Sequence, residues 1–419
     1  MGNPTSIHML VQRFVQQFAE IWWESYTHIP QLGDTYSEQD KLSREAHLEQ
    51  LLHTLESEQE QKSLCEKECS HTQESFFSAF RTFLKSALDF EDEHLDIILS
   101  HSFKEATKEF VKMGRCFDPS IGLDEIFQAC RNVWTMNGLQ HMLNLPIELT
   151  PAVFAYSMLY PYSDNYLDNP GISMETKIAF NKRLSQRLAG EAIVPVDRHE
   201  QIIFDLIAMI EAQYERSHHP QVFDSLFAIH NAQMKSLCLL DPKVPLSEVD
   251  VLKISIEKGG ASLLANGYLV SGSLTESQCK FLFGYGVYLQ LVDDLQDVQE
   301  DSKVGLLTVF SRASKHFPLD SFTNRTYYFG NKVMSFLDGF EGQDLGSFID
   351  LMKKSIVMLI VEAVGLTDGF HSKSYIQELE TYSPFRFSFL KKHWSKLSSY
   401  RISLMKLLEK FAVTENNSR

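Results

Sequence analysis

Asp293, Asp294, Asp297 and Asp301 crowd four carboxylates into a short stretch of sequence. On an α-helix Asp293, Asp297 and Asp301 fall at i, i+4 and i+8, on one face, roughly 6 Å apart from turn to turn. The run that leads into them, Phe281-Leu-Phe-Gly-Tyr-Gly-Val-Tyr-Leu-Gln-Leu-Val292, is apolar and free of proline, so the carboxylates should stand at the end of a core helix. Like charges so placed repel one another and are costly to desolvate, an arrangement that makes sense chiefly if cations sit among them. Oxygen ligands with no Cys or His beside them point to Mg²⁺, which keeps several waters and bridges one or two carboxylates to a substrate's phosphates. The plainer reading is a solvated acidic helix end.

A second cluster repeats the device. Asp164-Asn165-Tyr166-Leu167-Asp168 places two carboxylates at i and i+4, again after an apolar and aromatic run, Pro151-Ala-Val-Phe-Ala-Tyr-Ser-Met-Leu-Tyr160. Paired in this way, the two clusters resemble the Asp-rich motifs of the class I isoprenoid (terpenoid) synthase superfamily. Glu257-Lys258-Gly259-Gly260 through Gly267, followed by Tyr285 to Asp297, is similar to the lysine-bearing helix and second Asp motif of trans-prenyl diphosphate synthases. The same stretch, read as Gln290-Leu291, Asp297-Val-Gln-Glu-Asp301 and Gly305, is similar to the second motif of squalene/phytoene-type synthases. The resemblance covers roughly residues 140 to 310, and its confirmation lies in structural context.

The resemblance implies an all-α, single-domain helical bundle of the isoprenoid synthase type, with a central active-site cavity and the two motifs facing across it. It implies Mg²⁺ held by Asp164, Asp168, Asp293 and Asp297, with Asp294 and Asp301 as further ligand candidates, because the two alignments choose different members of the cluster. Lys258 would contact the diphosphate of an allylic prenyl substrate. Cleavage of the allylic C–O bond is helped when the leaving diphosphate is neutralised, and the carbocation left behind needs a dry pocket with aromatic faces. Tyr160 and Tyr156, one and two turns before Asp164, and Leu289 and Tyr285, likewise before Asp293, would line it. Aromatic stripes at helical spacing also serve as plain core.

Departures from the family pattern bear on the reaction. The basic set that holds isopentenyl diphosphate in elongating enzymes does not occur, and Asn165 stands where those enzymes carry a second Asp. No arginine occurs between Arg216 and Arg312, so Lys258 or Lys235 would have to replace the arginine many cyclases place before the second motif. The expected activity is therefore ionisation and cyclisation or rearrangement of one allylic prenyl diphosphate. Head-to-head condensation, chain elongation and a non-catalytic prenyl-diphosphate or metal-binding role stay open.

The 419 residues are 44% hydrophobic and include 30 Phe, ample for one large core. A net charge of −16 argues against nucleic-acid binding through a basic face. Six cysteines without a secretory segment read as reduced thiols, so a cytoplasmic location is expected. Apolar runs such as Ile356–Val361 are too short to span a bilayer. Peripheral membrane contact and a homodimer stay open, and Met1-Gly2-Asn-Pro-Thr-Ser6 formally fits a myristoylation pattern.

Residues 1–72 read as an N-terminal helical extension packing on the core, 73–412 as the synthase-like domain and 413–419 as a disordered tail. In the extension, Leu10, Phe14, Phe18 and Trp22 mark a packing helix, whereas residues 37–70, with a thin Leu stripe, read as an exposed one. Cys65 and Cys69 with His71 are too few for a tetrahedral Zn²⁺ site. Arg183 and Arg187, at i and i+4, face either a diphosphate or solvent. Leu246-Ser247-Glu248 looks like the capped start of the Lys258 helix, which Gly259, Gly260, Gly267 and Gly272 should loosen or kink.

Overall fold

The computed structural model describes residues 6–60, 66–169, 171–240, 245, 247–393 and 405–409. Among these, every regular element is a helix, in keeping with the apolar periodicity of the sequence. The first six are α1 (Ile7–Glu24), α2 (Glu38–Glu60), α3 (Glu66–Leu88), α4 (Asp92–Ile98), α5 (His101–Phe117) and α6 (Leu123–Met142). The middle of the chain forms α7 (Pro151–Asp168), α8 (Met174–Leu188), α9 (Arg198–Gln213), α10 (Pro220–Ser236), α11 (Glu248–Ser271) and α12 (Glu276–Gln296). Then come α13 (Val298–Val304), α14 (Val309–Ala313), α15 (Asp320–Val333), α16 (Leu345–Leu366) and α17 (Lys373–Thr381). No described helix is long and apolar enough to cross a membrane.

Side-chain caps fix where the motif-bearing helices begin. Thr150 accepts the Val153 amide at the start of α7, with Pro151 at the first position, where its missing N–H costs nothing. Ser173 does the same for α8, and Ser247 with Asp250 forms a capping box on α11 at the expected start. Pro161 lies inside α7, as the sequence requires.

α11 and α12 form the most extensive helix pair, and here the glycines act otherwise than expected. α11 runs unbroken from Glu248 to Ser271, with only Gly272 outside it, capping the end at φ +73°. Gly259 instead lets two backbones touch: a Cβ there would lie 2.6 Å from the Gly286 carbonyl oxygen and 2.5 Å from Gln290 Cβ. Isolated peptides lose helix at Gly, but the close packing it permits outweighs that propensity. The contact lies directly beside Lys258 and one turn below the carboxylates of α12, so it sets the spacing of both.

Behind this pair sits an aromatic core supplied partly by the first helix. Phe14, Phe18 and Trp22 of α1 are buried, and Phe18 stacks on Phe283 of α12 at 5.8 Å between ring centroids while meeting Phe329 of α15 edge-on. α2 is docked more firmly than its composition suggests. Glu45 accepts two hydrogen bonds from the Arg386 side chain at 2.9 and 2.5 Å, Lys41 donates to the Glu380 carbonyl, and Leu48, Leu51 and Leu52 are buried. Its anchoring combines the Arg386–Glu45 ion pair and the Lys41 hydrogen bond with part of the Leu stripe.

Several expectations fall outside the described residues: the Met1–Ser6 pattern but for Ser6, the Cys65, Cys69 and His71 side chains, and the tail 413–419.

Candidate functional site

Helices α6, α7, α8, α10, α11 and α12 line a half-open cavity of about 350 Å³. Asp164 of α7 and Asp293 of α12 both line it, and so do Lys258, Tyr156 and Tyr160. The side chain of Asp168 lies outside the described residues. Tyr285 and Leu289 do not reach the lining: Tyr285 stacks on Phe281 at 5.8 Å between centroids, and both pack against the hydrophobic core. Gln290 lines the cavity in their place.

At the second motif the helix continues through one irregular residue. Asp297 ends α12, yet its amide still bonds to the Asp293 carbonyl and the Asp301 amide to Asp297, each at 2.9 Å. Gly305, at φ +80°, then closes α13 through the Asp301 carbonyl. Along this path Asp293 and Asp297 reach solvent, while Asp294 and Asp301 are 6% and 8% exposed. Gln290 donates to Oδ1 of Asp294 at 2.8 Å, and the Ser255 side chain also acts on this carboxylate.

All four carboxyls are pushed above the usual carboxylate range. Burial is the main cause throughout, Asp293 included, although that residue stays exposed to solvent. Mutual repulsion adds to it, taking Asp297 to about 6, Asp294 to about 7 and Asp301 to about 8, while Lys258 and Arg131 pull in the opposite direction on some of them. Such a cluster favours an added positive charge.

Arg131 was not singled out by the sequence reading. It lies on α6 with Gln128, Asn132 and Thr135, at i, i+3, i+4 and i+7, a polar stripe on a helix otherwise buried by Ile126, Ala129, Val133 and Met136. That stripe is the signal that could have found it. Arg131 and Lys258 form no hydrogen bond or ion pair with a described side chain, although both act electrostatically on Asp293. Other cations are already engaged: Arg183 binds Glu200 at 2.7 and 2.8 Å, Arg187 pairs with Glu211, and Lys235 pairs with Glu257 at 2.6 Å. None of these three lines the cavity.

The apolar part of the lining comes from Leu159 and Leu167 of α7, Leu184 and Leu188 of α8, and Leu226 and Ile229 of α10. Tyr156 of α7 lines the cavity as well. Its hydroxyl is buried, which raises its pKa, and it is hydrogen-bonded to Ser262 of α11 and close enough to Asp164 to feel its charge.

Among the described residues, no group of three or more His, Cys, Asp or Glu side chains is gathered as a metal cage. Mg²⁺ does not require one, since it binds through one or two carboxylates with waters and phosphate oxygens completing the shell. The carboxylate donors that line the cavity, Asp164 and Asp293, are hard oxygens, so the residues present fit that ion.

No protein-family model, curated protein or solved structure matches the chain.

Proposed function

We propose that this chain is a Mg²⁺-dependent class I terpenoid synthase, which ionises an allylic prenyl diphosphate and cyclises or rearranges the resulting carbocation. The observation that carries the reading is one cavity whose lining holds Asp164, Asp293, Arg131 and Lys258 together with leucines of α7, α8 and α10. An anionic head and a hydrocarbon tail on one substrate match those two kinds of lining.

Arg131 and Lys258 bind and orient the diphosphate, each able to donate charge-assisted hydrogen bonds that strengthen as negative charge grows on the leaving oxygens. Mg²⁺, held by Asp164, Asp168, Asp293 and Asp297, with Asp294 and Asp301 behind them, would supply further neutralisation of that leaving group. The leucines of α7 and α8 exclude water from the cation, and the Tyr156 and Tyr160 rings offer it electron-rich faces.

The cavity volume supports turnover of one prenyl chain. At about 350 Å³ it lies near the lower end of the usual range for small-molecule pockets, which favours a single tail over the two required for head-to-head condensation. Extraction after incubation with geranyl, farnesyl or geranylgeranyl diphosphate tests this. A hydrocarbon or alcohol of unchanged carbon number is expected; a doubled skeleton would favour head-to-head condensation, and a longer diphosphate formed with isopentenyl diphosphate would favour elongation.

A further inference from the structure

A pair of side-chain amides ties α6 to α11 behind the cavity lining. Asn132 of α6 lines the cavity, half-buried, and its Oδ1 accepts a hydrogen bond at 3.1 Å from Nδ2 of Asn266, one turn beyond Ser262 on α11. Asn266 does not itself line the cavity. It is 2% exposed, and its own Oδ1 is buried without a hydrogen-bond partner.

A buried carbonyl oxygen left without a donor is a net cost, and leucine would fill the space between the helices without it. What Asn266 contributes is therefore the one bond it makes. That bond decides how the Asn132 amide is turned: with Oδ1 engaged, the group left to the cavity is the NH₂, a donor for which no described residue is an acceptor.

The place of Asn132 along α6 indicates what it meets. Arg131, the residue before it, acts electrostatically on Asp293. Gln128, one turn earlier, exchanges two amide hydrogen bonds with Asn165, the neighbour of Asp164, at 3.3 and 3.2 Å. α6 thus runs past both Asp motifs, and Asn132 shares the lining with Arg131 and Lys258.

We infer that Asn132 is a further holder of the diphosphate, donating its amide N–H to a phosphate oxygen, and that Asn266 is the positioning residue that turns it. The inference rests on the terpenoid reading above. A neutral amide adds what the two cations do not: charge attracts an anion in many orientations, whereas a hydrogen bond weakens steeply once its donor angle is lost. Asn132 therefore selects the rotation of a diphosphate that Arg131 and Lys258 attract.

Titration calorimetry of the full-length protein with inorganic diphosphate and Mg²⁺ tests this. Asn132→Leu, neutral and of similar size, should weaken binding about 10-fold or more, the scale of a hydrogen bond to a charged group. Asn132→Asp keeps an oxygen for Asn266, so the tie between the helices survives, but the donor is lost and binding should fall further. Asn266→Leu leaves every lining residue in place and should weaken binding about 3-fold or more, with little added loss in the Asn132→Leu background. Undiminished affinity in Asn132→Leu would overturn the inference, as would a loss in Asn132→Leu that Asn132→Asp does not share, since the tie alone would then account for it. Either result leaves the terpenoid reading standing, whereas no diphosphate binding by the unaltered protein would overturn both. Should Asn132→Leu fail to fold, Asn266→Leu decides the matter, and unchanged affinity there overturns the inference.

Discussion

Gly259 of α11 and Gly286 of α12 meet backbone to backbone, so that a methyl group on Gly259 would lie 2.6 Å from the Gly286 carbonyl oxygen. Neither chain segment can yield without moving Lys258, its neighbour, or Gln290, which holds Asp294. Gly259→Ala should therefore cost about 3 kcal/mol or more in chemical unfolding, at the upper end for overpacking because the obstacle is backbone. Gly346 of α16 has open space around it, and Gly346→Ala should be neutral or stabilising by about 0.5–1 kcal/mol. Equal effects at the two sites would refute the close-approach explanation.

The carboxylate cluster is a source of instability in the absence of a cation. Asp294 is buried, repelled by Asp293 and raised to about 7. Asp294→Asn keeps an acceptor for Gln290 and removes the charge, so the metal-free protein should gain on the order of 1 kcal/mol of stability. Mg²⁺ should in turn stabilise the unaltered protein more than the variant. A lower melting temperature for metal-free Asp294→Asn would point to a structural need for the charge.

Arg131 and Lys258 are read as anion holders. Arg131→Ala and Lys258→Ala should each weaken inorganic diphosphate binding roughly 10-fold or more in titration calorimetry with Mg²⁺, since a hydrogen bond to a charged group contributes about 1.5–3 kcal/mol. Arg183→Ala, whose partner is Glu200, should leave diphosphate affinity unchanged while lowering stability. Loss of diphosphate binding in the Arg183 variant alone would reverse the assignment.

Stability against acid follows from His230. Its folded pKa, about 4, lies below the ordinary histidine value of 6.5, so the unfolded chain binds the proton more readily. Stability tied to this group is present above pH 6.5 and declines as pH falls toward 4, by about 3 kcal/mol in total. The carboxylate cluster has the opposite sign, since protonation relieves its repulsion. The informative quantity is the difference: His230→Phe should lose less stability than the unaltered protein between pH 7 and 4. Parallel curves would contradict the buried, neutral imidazole.

Much of this arrangement could be read from residue spacing, and the failures have identifiable causes. Asp164, Asp293, Lys258, Tyr156 and Tyr160 share one cavity, because apolar runs ending in paired carboxylates leave helices few ways to pack. Tyr285 and Leu289 turn toward the core while Tyr160 and Tyr156, at the same spacing before Asp164, line the cavity, so spacing from a carboxylate does not by itself decide which face a helix presents. Arg131 escaped notice since it belongs to no Asp motif and only its polar neighbours on α6 mark it. Glycines that propensity reads as weakness serve helix contact, which depends on a partner more than twenty residues away. Ser185 and His230, which share a hydrogen bond, are 45 residues apart, and nothing local to either announces the other.

The central claim is that one cavity ionises an allylic diphosphate through its carboxylates and a divalent ion. Diphosphate release from farnesyl or geranylgeranyl diphosphate, followed with and without chelator, measures this most directly. The account predicts release that chelator abolishes, that Mg²⁺ restores, and that Asp164→Ala or Asp293→Ala suppresses by about 100-fold or more in proteins that still melt cooperatively. Release that persists in chelator, or none from any allylic diphosphate with Mg²⁺ present, would contradict it.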